Sequence, residues 1–234
     1  MTQRTECDIS LTQIIADLIR VPRDQRDEKW NQSFLLNVQM ASFACADPQV
    51  MTGPDSFPYF VLNLPKPQTP FESFCIRNLK DDYLLENGFG VTINPTENSA
   101  EWVFSHGDIV NLHLNNEFYS KSPEVEIKAE VILDKNEELL IAQPSETYLP
   151  KQTRVVLKNY LQYYGVTEPK IMLISRKEGG KMIQELAINV FKEETRSPEL
   201  LPKFMQQVAW FLPKHYILVL VPKNSTITEH FEAL

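Results

Sequence analysis

Glycine is scarce in this sequence, at 7 residues of 234. Few positions can take a positive φ cheaply, and collagen-like or low-complexity classes are excluded. Cysteine is scarcer still. Cys7, Cys45 and Cys75 are odd in number, far apart, and form no C-x-x-C pair. That pattern fits reduced thiols better than a disulfide framework. Cys45 and Cys75 sit in apolar, strand-like runs and read as core. Long apolar runs are also missing. The longest, over 216–221, is far too short to span a bilayer, so no membrane is expected as a partner. The first ten residues lack the basic start and apolar stretch of a signal peptide. Basic side chains number 23 against 31 acidic ones, a net charge of −8, which does not suit a nucleic-acid binder. These shortages point to a cytoplasmic protein.

Catalytic and ligand-binding signatures are missing as well. There is no H-E-x-x-H, no G-x-S-x-G and no Walker lysine in a G-x-x-x-x-G-K pattern. His106 and His113 are seven residues apart and share a helix face, but no cysteine or second acid stands at ligand spacing beside them. The run Gly88-Phe89-Gly90-Val91-Thr92-Ile93-Asn94-Pro95 resembles a phosphate loop only in its two glycines. A dinucleotide loop needs a strand before the glycines and a helix after them. Here a short helix over 78–87 comes first, so Gly88 is expected as its C′ residue, followed by a buried strand and a turn. Asp81-Asp82 stands early in that helix, where helix-dipole capping accounts for it. No catalytic residue, cofactor or metal is expected.

What is present is unevenly distributed. Residues 1–138 hold 11 basic and 22 acidic side chains, a net of −11, while 139–234 hold 12 and 9, a net of +3. A shift of this size places a domain boundary near 120–138. The expected organisation is an amphipathic helix and linker over 1–24, an α+β domain over 25–120, a connecting strand or linker over 121–138, and a second α+β domain over 139–234.

Ser10 and Gln13 form a capping-box pattern, and Leu11, Ile14, Ile15, Leu18 and Ile19 recur at helical spacing. The run "RDQRDEK" then reads as a solvated linker. The helix packs on its own domain, the common fate of amphipathic helices, or docks as a tethered element in a partner's groove. A second helix is predicted over 30–41, strands over 42–46, 57–64 and 101–104, and a helix over 106–114. The stretch 125–133 alternates as a strand.

In the last third a strand over 139–142 precedes a helix that starts at Pro150 and ends before Gly165. A strand over 171–174, a turn at Gly179-Gly180 and a returning strand through Leu186, Ile188 and Val190 follow. Ser197-Pro198 opens a helix and 216–221 closes the set as a strand. The order is β-α-β-β-α-β, the ferredoxin-like split βαβ or a close relative. No internal repeat covers both halves. Tyr160 and Tyr164 are predicted to be buried four residues apart, with Tyr163 turned outward as an interface anchor.

Residues 138–191 resemble the C-terminal domain of the SseB family, the bacterial enhanced serine sensitivity proteins. The shared features are a strand before a turn at Gln143-Pro144, a helix leading to a strand at Ile171, and a hairpin returning from Leu186 to Val190. The ending "LPKHYILVLVP" with 227–231 is also similar, and "GFGVTINPTENSAEWVFSHGDIVNL" looks like the family's glycine-strand-Asn-Pro turn with its following strand and helix. The first 70 residues have no clear match. The resemblance implies a two-domain fold in a cytoplasmic protein. It transfers no catalytic residue, because the family name reports a growth trait and not a reaction. The expected function is therefore non-enzymatic binding of a protein partner or self-association, with Leu11, Ile14, Ile15, Leu18 and Tyr163 as contact residues. The rival is an enzyme whose site is assembled in the cleft between two domains.

Overall fold

A computed structural model describes residues 5–97, 99–120, 127–128, 139–191 and 198–234. The chain is mixed α+β and divides into two compact units, Met1–Phe118 and Tyr119–Leu234.

The first unit opens with α1 (Ile9–Arg20), capped by Asp8, whose carboxylate accepts from the Ser10 amide at 2.7 Å. The helix thus starts ahead of the expected Ser10 cap. It is built into its unit. Ile15 is fully buried, and Thr12 Oγ1 donates to Ser42 O at 2.9 Å. Trp30 Nε1 donates to Leu18 O at 2.7 Å. The supposed linker closes the helix end, because Arg26 donates to Ile19 O and Val21 O and pairs with Glu101 at 2.8 Å. Helix α2 (Glu28–Val38) follows, with Trp30 and Phe34 stacked at 5.0 Å.

Strands β1 (Ala44–Thr52) and β2 (Pro58–Asn63) pair antiparallel. The chain then passes through α3 (Ile76–Leu79) and a π-helical turn (Lys80–Leu85) to β3 (Gly90–Ile93), which lies parallel to β2. β4 (Trp102–Phe104) completes the order β1-β2-β3-β4, and α4 (His106–Asn115) leaves it through a capping box of Ser105 and Asp108. By register Phe60, Val91 and Phe104 share one sheet face, as do Leu62, Ile93 and Trp102. Trp102 of that face packs on Trp30 and Phe34. Gly88 has φ +69, as its C′ place requires. Gly90 is needed for a different reason: a Cβ there would stand 2.5 Å from Phe104 O and 2.7 Å from the Tyr59 ring.

The cysteines overturn an expectation. Cys7 and Cys75 form a disulfide across 68 residues, and Cys45 is the free thiol. Sequence distance hid the pair. Asp8 bridges Ala41 and Phe43 bridges Phe74, so the residues beside both cysteines are drawn to one place by main-chain pairing.

The second unit carries β5 (Ile127–Lys128), β6 (Leu140–Ala142), α5 (Lys151–Tyr163), β7 (Lys170–Glu178), β8 (Lys181–Ile188), α6 (Leu201–Ala209), β9 (Ile217–Val219) and β10 (Glu232–Ala233). The sheet order is β10-β7-β8-β9-β5, and β6 also pairs with β7. The element order is the expected one, but the pairing is not a split βαβ. β6 lies directly beside β7 and antiparallel to it, sharing that edge with β10. Gln143 Nε2 donates to Ile171 O at 2.8 Å where those two short strands meet. One sheet face holds the cluster of Met172, Ile174, Ala187, Val219, Ile227 and Phe231. Glu185, fully buried, follows the same alternation, and Arg176 donates to it twice at 3.0 Å. The other face is left to α5 and α6, which bury Leu157, Leu161, Met205 and Val208. Most of the alternating stretch 125–133, and the Ser197 cap, lie outside the described residues.

The two units repeat one run of elements. α2-β1-β2-α3-β3 and α5-β7-β8-α6-β9 are each a helix, an antiparallel hairpin, and a helical crossover to a strand parallel to the second. The connections 64–75 and 189–200 are equal in length. The repeat escapes the sequence because it lies in pairing and spacing, and the side chains differ.

Candidate functional site

Helix α5 ends where Gly165 takes φ +94. Gly165 N–H donates to Gln162 O and Val166 N–H to Leu161 O, both at 3.0 Å, a closure that needs a left-handed residue. A Cβ on Gly165 would meet nothing within 4 Å, so the dihedral alone calls for glycine. This stop decides where the tyrosines face. Tyr163 is the last helical residue and is 83% exposed. Tyr164 has left the helix, with φ −88 and ψ 12, and is 49% exposed, so its expected burial is corrected. Tyr160 is half-buried, and burial pushes its hydroxyl pKa above the usual phenol value.

The tyrosines belong to an aromatic cluster shared with α6. Ring centroids of Tyr160 and Phe211 lie 4.7 Å apart, Tyr160 and Tyr164 4.8 Å, Tyr163 and Tyr164 5.2 Å, and Tyr164 and Phe204 5.7 Å. Beside the cluster is a groove of about 1020 Å³ between the turn after α5, the end of β8 and the start of α6. Its walls include Tyr164, Phe204, Val190, Lys203, Gln207 and Leu200. Leu200 is 57% exposed. Asn189 stiffens one wall: its side chain accepts from Lys170 N and donates to Glu168 O. Among the described residues the groove's walls offer aromatic surface and one lysine.

The N-terminal contact residues fare differently. Ile15 is buried inside its own unit and is unavailable to a partner; Leu11 and Leu18 are half-buried, and only Ile14 is exposed. Packing on α2 and the Thr12–Ser42 bonds account for the apolar stripe.

The histidines of α4 part company. His106 is fully buried, and desolvation lowers its pKa to about 4. His113 Nδ1 bonds Asp81 Oδ1 at 2.7 Å, and Lys80 Nζ donates to the same oxygen at 2.6 Å. Burial pushes the Asp81 carboxyl up, but the bonds from Lys80 and His113 more than offset this and hold it below its ordinary value. Asp81 therefore ties the π turn to α4, a role the dipole argument missed. Among the described residues no group of three His, Cys, Asp or Glu side chains is placed to hold a metal. No helix among them is long and apolar enough to cross a membrane.

No protein-family model matches the chain, and no curated protein matches it.

Proposed function

We propose that the protein is a non-enzymatic binding protein of the SseB type, acting through the aromatic end of α5 on a protein partner or a second copy. The observation that carries this reading is Tyr163, 83% exposed yet set edge-on against Tyr164, which itself lines the groove. A large aromatic side chain held in place but left in water has the character of an interface anchor. The resemblance of residues 138–191 supports it. The test compares parent chain and Tyr163→Ala by sedimentation across a concentration series and by cross-linking in cell extract. The reading expects the parent to form a complex that the variant loses with its thermal midpoint unchanged. Identical behaviour of the two would overturn it.

A cytoplasmic location forms part of the same proposal, on the strength of the resemblance. The Cys7–Cys75 disulfide pulls the other way, because such bonds persist mainly in oxidising compartments. Thiol titration of rapidly quenched, denatured protein separates the two: three reactive thiols support a reducing location, and only one, from Cys45, refutes it.

A further inference from the structure

Helix α4 and the π-helical turn over Lys80–Leu85 meet at one carboxylate. Asp81 Oδ1 accepts from Lys80 Nζ at 2.6 Å and from His113 Nδ1 at 2.7 Å. An ionised carboxylate can only accept, so Nδ1 carries the hydrogen of this bond. The neutral ring then bears its lone pair on Nε2. That nitrogen bonds none of the described residues and is not buried; the side chain is 32% exposed. A ring with one nitrogen anchored on a carboxylate and the other open is a nucleophile with its orienting group in place.

The surroundings suit an anion. Lys80 Nζ lies no farther from Nδ1 than their two bonds to Asp81 laid end to end. Arg77, one turn before Lys80, reaches Asn116 Oδ1 at 3.5 Å, just past the end of α4 and three residues beyond His113. Two cations thus stand at the end of α4 that carries His113, and Lys80 already offsets the charge of Asp81. Asp82 and Glu117 are exposed, where water screens them. The π turn that presents Asp81 is itself a conformation that recurs at functional sites. We infer that His113 Nε2 is a phosphoryl-acceptor site, loaded from a donor of the phosphoramidate class.

The Nε2 lone pair attacks phosphorus, and a new N–P bond forms as the donor's own P–N bond breaks. The electron pair of the broken bond leaves with the departing nitrogen, which takes a proton from water. Nδ1 keeps its hydrogen throughout. The positive charge that the ring gains is met by Asp81, and the phosphoryl charge by Lys80 and Arg77. Asp81 acts only through the ring and is a positioning residue.

The probe is potassium phosphoramidate, whose P–N bond breaks as ammonia departs, incubated with the full folded chain. Labelled peptides are mapped by mass spectrometry above neutral pH, since phosphohistidine is lost in acid. His230 is the internal control. Exposure alone favours it, because its side chain is 52% open, and its neighbouring acid, Glu229, stands 3.8 Å from Nε2 itself. The site expects the reverse order, with His113 labelled about tenfold faster than His230 or more, through its orienting carboxylate. Asp81→Ala, checked for folding by circular dichroism, brings the rate at His113 down to that of His230 and mixes the ring tautomers seen by nitrogen NMR. Asp81→Glu restores part of the rate. His113→Gln removes the label and leaves His230 as it was. Labelling of His230 as fast as His113, no label on His113, or an unchanged rate in folded Asp81→Ala overturns the site. If Asp81→Ala does not fold, the two histidines of the parent decide alone. Tyr163 belongs to the other unit, so either reading can fall without the other.

Discussion

His106 occupies the first position of α4 with no surface left to water, and that sets a pH dependence. Its folded pKa is about 4, mainly through desolvation, with a hydrogen bond to the Phe89 backbone opposing the shift. The unfolded chain takes its proton near 6.5, so below that pH the unfolded state binds more protons than the folded one. The stabilising contribution is present above about 6.5 and is lost as pH falls toward 4, amounting to about 3 kcal/mol in full. Urea midpoints between pH 7.5 and 4.5 should fall more steeply for the parent than for His106→Leu; parallel curves would refute the assignment. Glu185 makes a second residue-level case. Arg176 is its bidentate partner, so Arg176→Met leaves a fully buried carboxylate without that compensation and should cost about 3 kcal/mol or more by denaturation. Tyr163→Ala should cost well under ~1 kcal/mol, against about 3 kcal/mol for Leu161→Ala. Equal losses would mean that Tyr163 is packed rather than presented. The tyrosine pattern was legible for Tyr163 because helical spacing sets its direction. It misled at Tyr164 because Gly165 ends the helix one residue sooner than the stripe implies.

At the scale of the element, α1 shows what periodicity can and cannot tell. The stripe of Leu11, Ile14, Ile15 and Leu18 announces a face, but not what covers it. The answer lies in polar contacts with no periodic signature: Thr12 to Ser42, Trp30 to Leu18, and Arg26 across the helix end. Deleting residues 1–24 should therefore unfold or severely destabilise the first unit, since it removes Ile15 from the core and half of the disulfide. A thermal midpoint within about 2 °C of the parent would return α1 to the role of a tethered helix. The disulfide carries its own expectation. It closes a loop of 68 residues, for which chain entropy gives about 4 kcal/mol in the simplest model. Unfolding with and without a strong reductant measures that gap directly, and coincident curves would show that the two thiols are not joined in solution.

At the scale of the molecule, composition reported two bodies through charge, and the structure divides the chain at Phe118 and Tyr119. What composition leaves unsaid is how strands pair. β5 belongs to the second unit because Ile127 and Lys128 lie parallel to Leu218 and Val219, although more than eighty residues separate them in sequence. The same gap explains why a β-α-β-β-α-β order suggested the wrong sheet: order along the chain is local, while β6 and β10 meeting on one edge of β7 is not. The repeated hairpin and crossover are likewise a matter of pairing, so two unlike sequences conceal them. These pairings make the two possible fragments of the second unit unequal. A fragment over 139–234 lacks β5 and leaves β9 as an open edge, with main-chain groups of Leu218 and Val219 unpaired and free to join another chain. A fragment over 119–234 keeps that edge covered. Both should be folded by circular dichroism, but the longer one should be more stable by about 2 kcal/mol, the worth of a pair of ladder hydrogen bonds, and less prone to aggregate. Denaturation and light scattering on the two fragments make the comparison. Equal stability and equal solubility would show that β5 adds nothing to the sheet, and that the second unit is complete from Leu139 onward.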